Sequence, residues 1–227
     1  MRGRRFVATA TLLGLLVGCT GQSSPGGSEP SPTPTGWGPA LDYATAMEMI
    51  PLEGTDLAPL HWELLEVDDP ELAEAIEVAK RFHALEEYVI SQPKPDDLAF
   101  LFQWVATEGM IEVHYPNGPP DPERPSLGQS IGPVWLWVME VEWLTPRSVR
   151  VSMCRDRGWQ HRPGEPVDEP RHDRAQNQHY EVIVPREVDG PGWLVNNVWR
   201  NWDVLGEDGR RACEQWAVHE PDGESNE

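Results

Sequence analysis

The strongest constraint on this chain's fold is a change of hydrophobic period near its middle. From residue 70 to about 115 the apolar residues recur at steps of three and four, the spacing of one helix face; after residue 133 they alternate, the spacing of a strand. The two regimes meet at residues 116–126, PNGPPDPERPS, whose five prolines in eleven positions exclude regular structure. A chain that spends its first half on helices and its second on strands folds as an α+β domain, its N-terminal helices packed on one face of a curved antiparallel sheet.

The helical half has one well-marked element. Asp69 is suited to cap it, Pro70 to open its first turn, and Glu71 to complement the positive helix end. Leu72, Ile76, Ala79, Phe82, Leu85 and Val89 then form one apolar stripe, and Pro93 and Pro95 end the helix. A second helix is expected from the Asp96-Asp97 pair, carrying Leu98, Leu101, Trp104 and Val105 inward, with a short third turn over 107–115. In the strand half, 133–143 places Trp135, Trp137, Met139, Val141 and Trp143 on one face and Val134, Leu136 and Val138 on the other. A turn at Thr145-Pro146 leads into 148–156, where Val149, Val151 and Met153 face one way and Arg150, Ser152 and Cys154 the other, so the two runs read as a hairpin. After a polar loop over 158–177, residues 178–188 and 192–202 read as a second hairpin around Asp189-Gly190.

The first 36 residues have a different character. Residues 1–18 combine Arg2, Arg4 and Arg5 with an apolar run too short for the ~20 residues of a membrane span, which is the pattern of an export signal. The segment Leu16-Val17-Gly18-Cys19 resembles the lipobox of bacterial lipoproteins, which implies diacylglyceryl attachment at Cys19 and cleavage just before it. An ordinary signal peptide with a chance cysteine is the other reading. Residues 19–36 weigh against it, because they are rich in Ser, Thr, Pro and Gly and read as a tether between a lipid and a folded body. The expected organisation is thus a signal over 1–18, the tether, an extension over 37–69 that packs on the domain, the domain itself over 70–219, and an acidic tail over 220–227.

Charge limits the partners. With 18 Lys and Arg against 38 Asp and Glu the net charge is −20, and losing the three arginines of the signal leaves 15 against 38, or −23. Such a polyanion is repelled by nucleic-acid backbones and by anionic membrane surfaces, so nucleic acid is excluded as a partner and membrane attachment falls to lipid. The expected location is the extracytoplasmic face of the cell membrane. Of the three cysteines, Cys154 and Cys213 remain once Cys19 is lipidated, and an even pair in an exported chain is most simply a disulfide.

The order and spacing of these elements resemble the NTF2-like (SnoaL-like) domain of exported lipoproteins from GC-rich Gram-positive bacteria. The resemblance covers about residues 69–216. It rests on the helix DDPELAEAIEVAKRFHALEEYVIS, the Pro-Asp-Asp-Leu start of the next helix with its Val-Ala-Thr-Glu-Gly sequel, the strand cysteine in VSMCRD, and the strand GWLV. It implies a conical cavity between helices and sheet, which in some members is an active site and in others a binding pocket or a packed core. It also implies that a homodimer through the sheets is one assembly to expect. The Pro-rich stretch 116–126 and the long loop 158–177 depart from the family pattern at the mouth of the cone.

No catalytic signature accompanies the resemblance, and no catalytic residue, cofactor or metal is assigned from the sequence. His83 reads as a boundary residue beside Phe82. His161, His172 and His179 lie near Asp156, Asp168, Glu169 and Asp173, a mixture with no recognised metal-ligand spacing that reads as a solvated loop. His179 and Tyr180, set against Glu140 or Glu142, form the one acid/base pairing that would suit an enzyme of this family. The face of Trp135, Trp137, Met139 and Trp143 has two readings: core packing, or, with His179 and Tyr180, the wall of a pocket for a ligand. The expected function is a non-catalytic binding or accessory domain that takes a small molecule or an envelope protein; a small-molecule enzyme and a scaffold for another envelope protein are the alternatives.

Overall fold

The computed structural model describes residues 41–92, 98–114, 129–184 and 192–221. They form an α+β domain around a curled six-stranded sheet. Helix α1 (Tyr43–Glu48) and a short strand pair, β1 (Gly54–Thr55) and β2 (Ala58–Glu63), precede the long helix α2 (Pro70–Ser91). A 3-10 helix (Ala99–Trp104) and α3 (Glu108–His114) follow, then β3 (Val134–Thr145), β4 (Ser148–Asp156), β5 (Ala175–Ile183), β6 (Leu194–Trp199) and α4 (Trp202–Trp216). The strands lie side by side in chain order.

Helix α2 begins as its cap residues dictate. The Asp69 carboxylate accepts from the Glu71 backbone N–H at 2.9 Å, Pro70 occupies the first turn, and the helix ends at Gln92, just before the first proline. Ile76, Ala79, Phe82 and Leu85 of the apolar stripe are buried and meet Val134, Leu136, Val138, Val149, Val151, Met153 and Val182 of the sheet in one core. The second helical segment is a 3-10 turn instead of an α-helix, and residues 93–97, which hold its expected start, lie outside the described residues. So do the Pro-rich segment 116–126, the Asp189-Gly190 turn and residues 1–40.

Three features of the architecture differ from the sequence reading. Residues 54–63 are part of the sheet, because β2 pairs with β3, and that pair is parallel while the other strand pairs are antiparallel. Residues past 201 form a fourth helix, although the alternation predicts strand to 202: the Asn201 side chain caps it by accepting from the Asp203 N–H at 2.9 Å, and Gly206, at φ +67°, kinks it. This helix lies against β4 and β5 on the face away from α2, so helices cover both faces of the sheet. The Cys154–Cys213 disulfide, with Cα atoms 5.6 Å apart, fastens α4 to β4.

The third feature is a bulge in β3. Before it Val138 pairs with Met153, and after it Glu140 pairs with Ser152, leaving Met139 as the extra residue. Paired residues share a face, so the bulge reverses the alternation. Trp135 and Trp137 point to the outer face, whereas Trp143, opposite the buried Val149, points to the helix side. The single aromatic face expected over 135–143 is therefore split.

Candidate functional site

The interior carries a polar cluster built on three elements. Helix α2 presents His83, Glu86 and Glu87 one turn apart; β4 contributes Arg155; β5 contributes Gln176, Gln178 and Tyr180. Parity explains the strand residues: Arg155 follows Val149, Val151 and Met153 on the inward face, and Gln178 and Tyr180 precede the buried Val182. His83 and Tyr180 are 0% exposed, Glu87 1% and Arg155 2%. Burying charges so deeply is tolerated only if they are paired.

Glu87 is the centre of that pairing. Its Oε1 lies 3.5 Å from the Arg155 guanidinium, and its Oε2 accepts from the Gln160 amide at 2.9 Å and lies 3.6 Å from Arg157. Burial alone would raise this carboxyl; the Arg157 and Arg155 charges and the Gln160 hydrogen bond outweigh it and hold it below its ordinary value. Arg155 also donates to Gln176 Oε1 at 2.9 Å, and Arg157 donates to Gln160. Glu86, one turn-face away, accepts from Gln178 Nε2 at 2.9 Å and from the Tyr180 hydroxyl at 3.4 Å.

His83 links the two glutamates. Its Nδ1 is 2.5 Å from the Tyr180 hydroxyl and its Nε2 is 3.5 Å from Glu87 Oε1. Burial lowers its proton affinity more than Glu86 and Glu87 raise it, so the ring is neutral. Burial pushes the Tyr180 phenol well above 10, so its hydroxyl keeps its proton. Three atoms in this cluster lack a hydrogen-bond partner: His83 Nε2, Arg155 Nε and Gln178 Oε1.

The two lowered histidines predict acid sensitivity. His83 and His179 titrate below 6.5 in the folded chain because of burial, whereas the unfolded chain takes up their protons near 6.5. Below that value the unfolded state binds more protons, so stability falls with pH. The urea midpoint should be constant above pH 7 and drop between pH 6.5 and 5, before the buried carboxylates titrate; a midpoint unchanged over that interval contradicts the neutral His83.

The cluster is closed to solvent except at its ends. Glu86, with a side chain 19% exposed, and Gln178 form the inner wall of a cleft of about 470 Å³, completed by Met110 of α3, Val198 of β6 and Arg200. Gly109 also lines it, and a Cβ added there would meet open space. At the opposite end Gln160 reaches a second cleft of about 440 Å³ in the loop after β4, with His161, Arg162 and Arg171.

The residues singled out from sequence are dispersed. Tyr180 belongs to the cluster. His179 is on the outer face, with Nδ1 2.9 Å from Ser152 Oγ and Nε2 3.0 Å from the Asn201 carbonyl. Glu142 and Glu140 pair with Arg150, at 2.7 and 3.9 Å, and form no acid/base pair with His179. Trp135 is stacked between His61 and His219 at 5.1 Å from each, and Trp137 lies 5.7 Å from Trp216 of α4. Trp143 donates to Asp69 at 3.4 Å and contacts Trp193. Thus Trp135 and Trp137 do not wall the cleft; they pair with Asp156 and Cys154 on the outer face, under α4 and the segment after it. His83, read as a boundary residue, is instead fully buried. Among the described residues no group of three or more His, Cys, Asp or Glu is placed to hold a metal, and no helix is long and apolar enough to cross a membrane.

The fold and cluster define an α+β domain with an internal ion-pair network and a cleft at its end. Comparison with family models, with curated proteins and with solved structures yields no match for this chain.

Proposed function

We propose that this protein is a lipid-anchored, extracytoplasmic binding protein, whose NTF2-like domain takes a small molecule in the cleft between α2, α3 and β6. The observation that carries the binding reading is the relation between cluster and cleft. The cluster's charges are matched internally and buried, so it braces the cleft's inner wall in one arrangement, and only Glu86 and Gln178 of its members line the open space. A rigid, mostly closed polar wall beside Met110 and Val198 suits recognition of a ligand. The curled sheet with α2 laid across it supports the NTF2-like reading. The cationic start, the Leu-Val-Gly-Cys segment and the Ser/Pro/Gly tether support attachment through Cys19 to the outer face of the cell membrane.

Catalysis is the second reading, favoured by the 2.5 Å contact between His83 and Tyr180. It requires a substrate to reach a phenol and an imidazole that are both 0% exposed, so binding is preferred. The anchor is tested by expressing the full chain in a Gram-positive host fed an alkyne-tagged fatty acid. The wild type should label and sediment with membranes, and Cys19→Ala should lose the label and appear in the medium. Membrane retention of Cys19→Ala through a high-salt wash contradicts the anchor.

A further inference from the structure

The buried network has a cover, and that cover is pinned from outside by the residues that follow α4. Loop 157–174 runs from the end of β4 to the start of β5, and its Arg157 and Gln160 close over Glu87. Gln160, 2% exposed, donates to Glu87 Oε2 at 2.9 Å, and Arg157 lies 3.6 Å from the same oxygen. On its outward side Gln160 lines the cleft of His161, Arg162 and Arg171, so it stands between that cleft and the buried carboxylate. Residues 217–219 hold the cover down. The His219 carbonyl accepts from Trp159 Nε1 at 2.9 Å and from the Arg174 guanidinium, which draws the two legs of the loop together. The His219 N–H donates to Asp156 Oδ2 at 3.0 Å, its Nδ1 lies 3.1 Å from the same oxygen, and its ring stacks on Trp135. Asp156 Oδ1 in turn accepts from the Gly158 N–H at 2.9 Å and from Arg174 Nε at 3.0 Å. Beyond Gln160 the loop has a separate anchor, the reciprocal backbone bonds of His161 and Ile131, 2.9 Å each.

We propose that residues 217–219 are a releasable strap: docked, they seal loop 157–174 over the ion-pair network, and lifted, they let the Trp159 side of the loop open and admit solvent to Glu87. The fold suits such a motion. The Cys154–Cys213 bridge fixes α4, so the strap can lift while the helix stays in place. Its anchoring contacts are mostly polar and water can replace them, and Val218, between its ends, is 63% exposed. Sealing matters because Glu87, Arg155 and His83 keep their pairing only while water is kept out. A lifted strap also supplies the route that catalysis at His83 and Tyr180 would need, since both are 0% exposed while it is docked. The cleft between α2, α3 and β6 is lined by none of the loop or strap residues, so the strap stands or falls independently of ligand binding there.

The test combines amide exchange with carboxyl labelling by a water-soluble carbodiimide and an amine, on the oxidised full chain, on His219→Gly and on a chain ending at Trp216. In the wild type the N–H groups of Arg157 and Gln160, bonded to the Arg174 and Arg157 carbonyls, should be protected, and Glu87 should take no label. Ending the chain at Trp216 should speed exchange at Arg157 and Gln160 at least tenfold and let Glu87 react, with His161 and α2 exchanging as in the wild type. His219→Gly keeps the backbone bonds to Trp159 and Asp156 and loses the ring, so it should give a several-fold increase at the same two amides. Val218→Ser should change nothing. Unaltered exchange at Arg157 and Gln160 overturns the proposal, as does an equal rise at His161 and α2, which would make the segment a general support of the domain. Faster loop exchange with Glu87 still unlabelled overturns it too, because the loop would then move without opening the network. If the shortened chain does not fold, His219→Gly decides by the same readouts.

Discussion

Replacing Glu87 with alanine should cost about 3–5 kcal/mol of stability, a large fraction of the ~5–15 kcal/mol that holds a domain together. The loss is not the value of one ion pair. Removing the carboxylate leaves Arg155, 2% exposed, with a buried positive charge and takes the acceptor from Gln160 and the counter-charge from Arg157. The buried cation would then have to draw in water or unfold the core around it. Glu87→Gln should cost less, since the amide oxygen still accepts from Gln160. The double variant Glu87→Met with Arg155→Met should recover part of the deficit, because both buried charges go together. Urea denaturation reads all three. A Glu87→Ala shift below about 1 kcal/mol would mean that the cluster is solvated and the pairing is not what holds it.

Loss of the disulfide is the second large effect. Cys154 and Cys213 close a loop with a separation of 59 residues, for which the chain-entropy model gives about 4 kcal/mol. In a domain of this size that corresponds to a Tm lower by roughly 8–16 °C. The expected pattern is specific. Helix α4 is held to the outer face by the bridge, and the segment just past it by Asp156, which accepts from the His219 N–H at 3.0 Å and from Arg174 at 2.8 Å. The double variant Cys154→Ala/Cys213→Ala should therefore lose amide protection first in α4, while α2 and β3–β5 retain theirs until global unfolding. A Tm unchanged on removal of both cysteines would show that α4 is held without the bridge.

The sequence made some of this legible and hid the rest for identifiable reasons. The boundaries of α2 follow from Asp69, Pro70 and Pro93, and the inward set Val149, Val151, Met153 follows from alternation alone. Alternation carried one step further points Arg155 inward, and an inward arginine demands a buried carboxylate; His83 and Glu87 at helical spacing were the available signal. The bulge at Met139 has no mark in VWLWVMEVEW, where Val and Trp recur throughout and no Gly or Pro interrupts, so plain alternation puts Trp143 on the face opposite to the one it occupies. Strand β2 is only six residues long and is defined by its parallel partner, a tertiary property. Helix α4 was obscured by Gly206 and Gly209, which depress local helix propensity, and it is held instead by its Asn201 cap and the bridge at Cys213.

The fold also relocates the role of tryptophan. Trp135 and Trp137, which looked most like a ligand wall, stack against histidines and α4 on the outer face, while the cleft is lined by Glu86, Gln178, Asn196, Asn197 and Arg200 beside Met110, Val113, Val198 and Trp199. The unusual chemistry of the chain lies in the charged interior.

The central claim is that the cleft between α2, α3 and β6 holds a small molecule. Native mass spectrometry of the full chain, extracted gently from membranes, tests it most directly, with Gly109→Leu as the comparison. Wild type should carry a bound small molecule that is released on denaturation, and Gly109→Leu should be folded, disulfide-bonded and free of it. The same ligand on both proteins, or none on the wild type from intact membranes, would contradict the account.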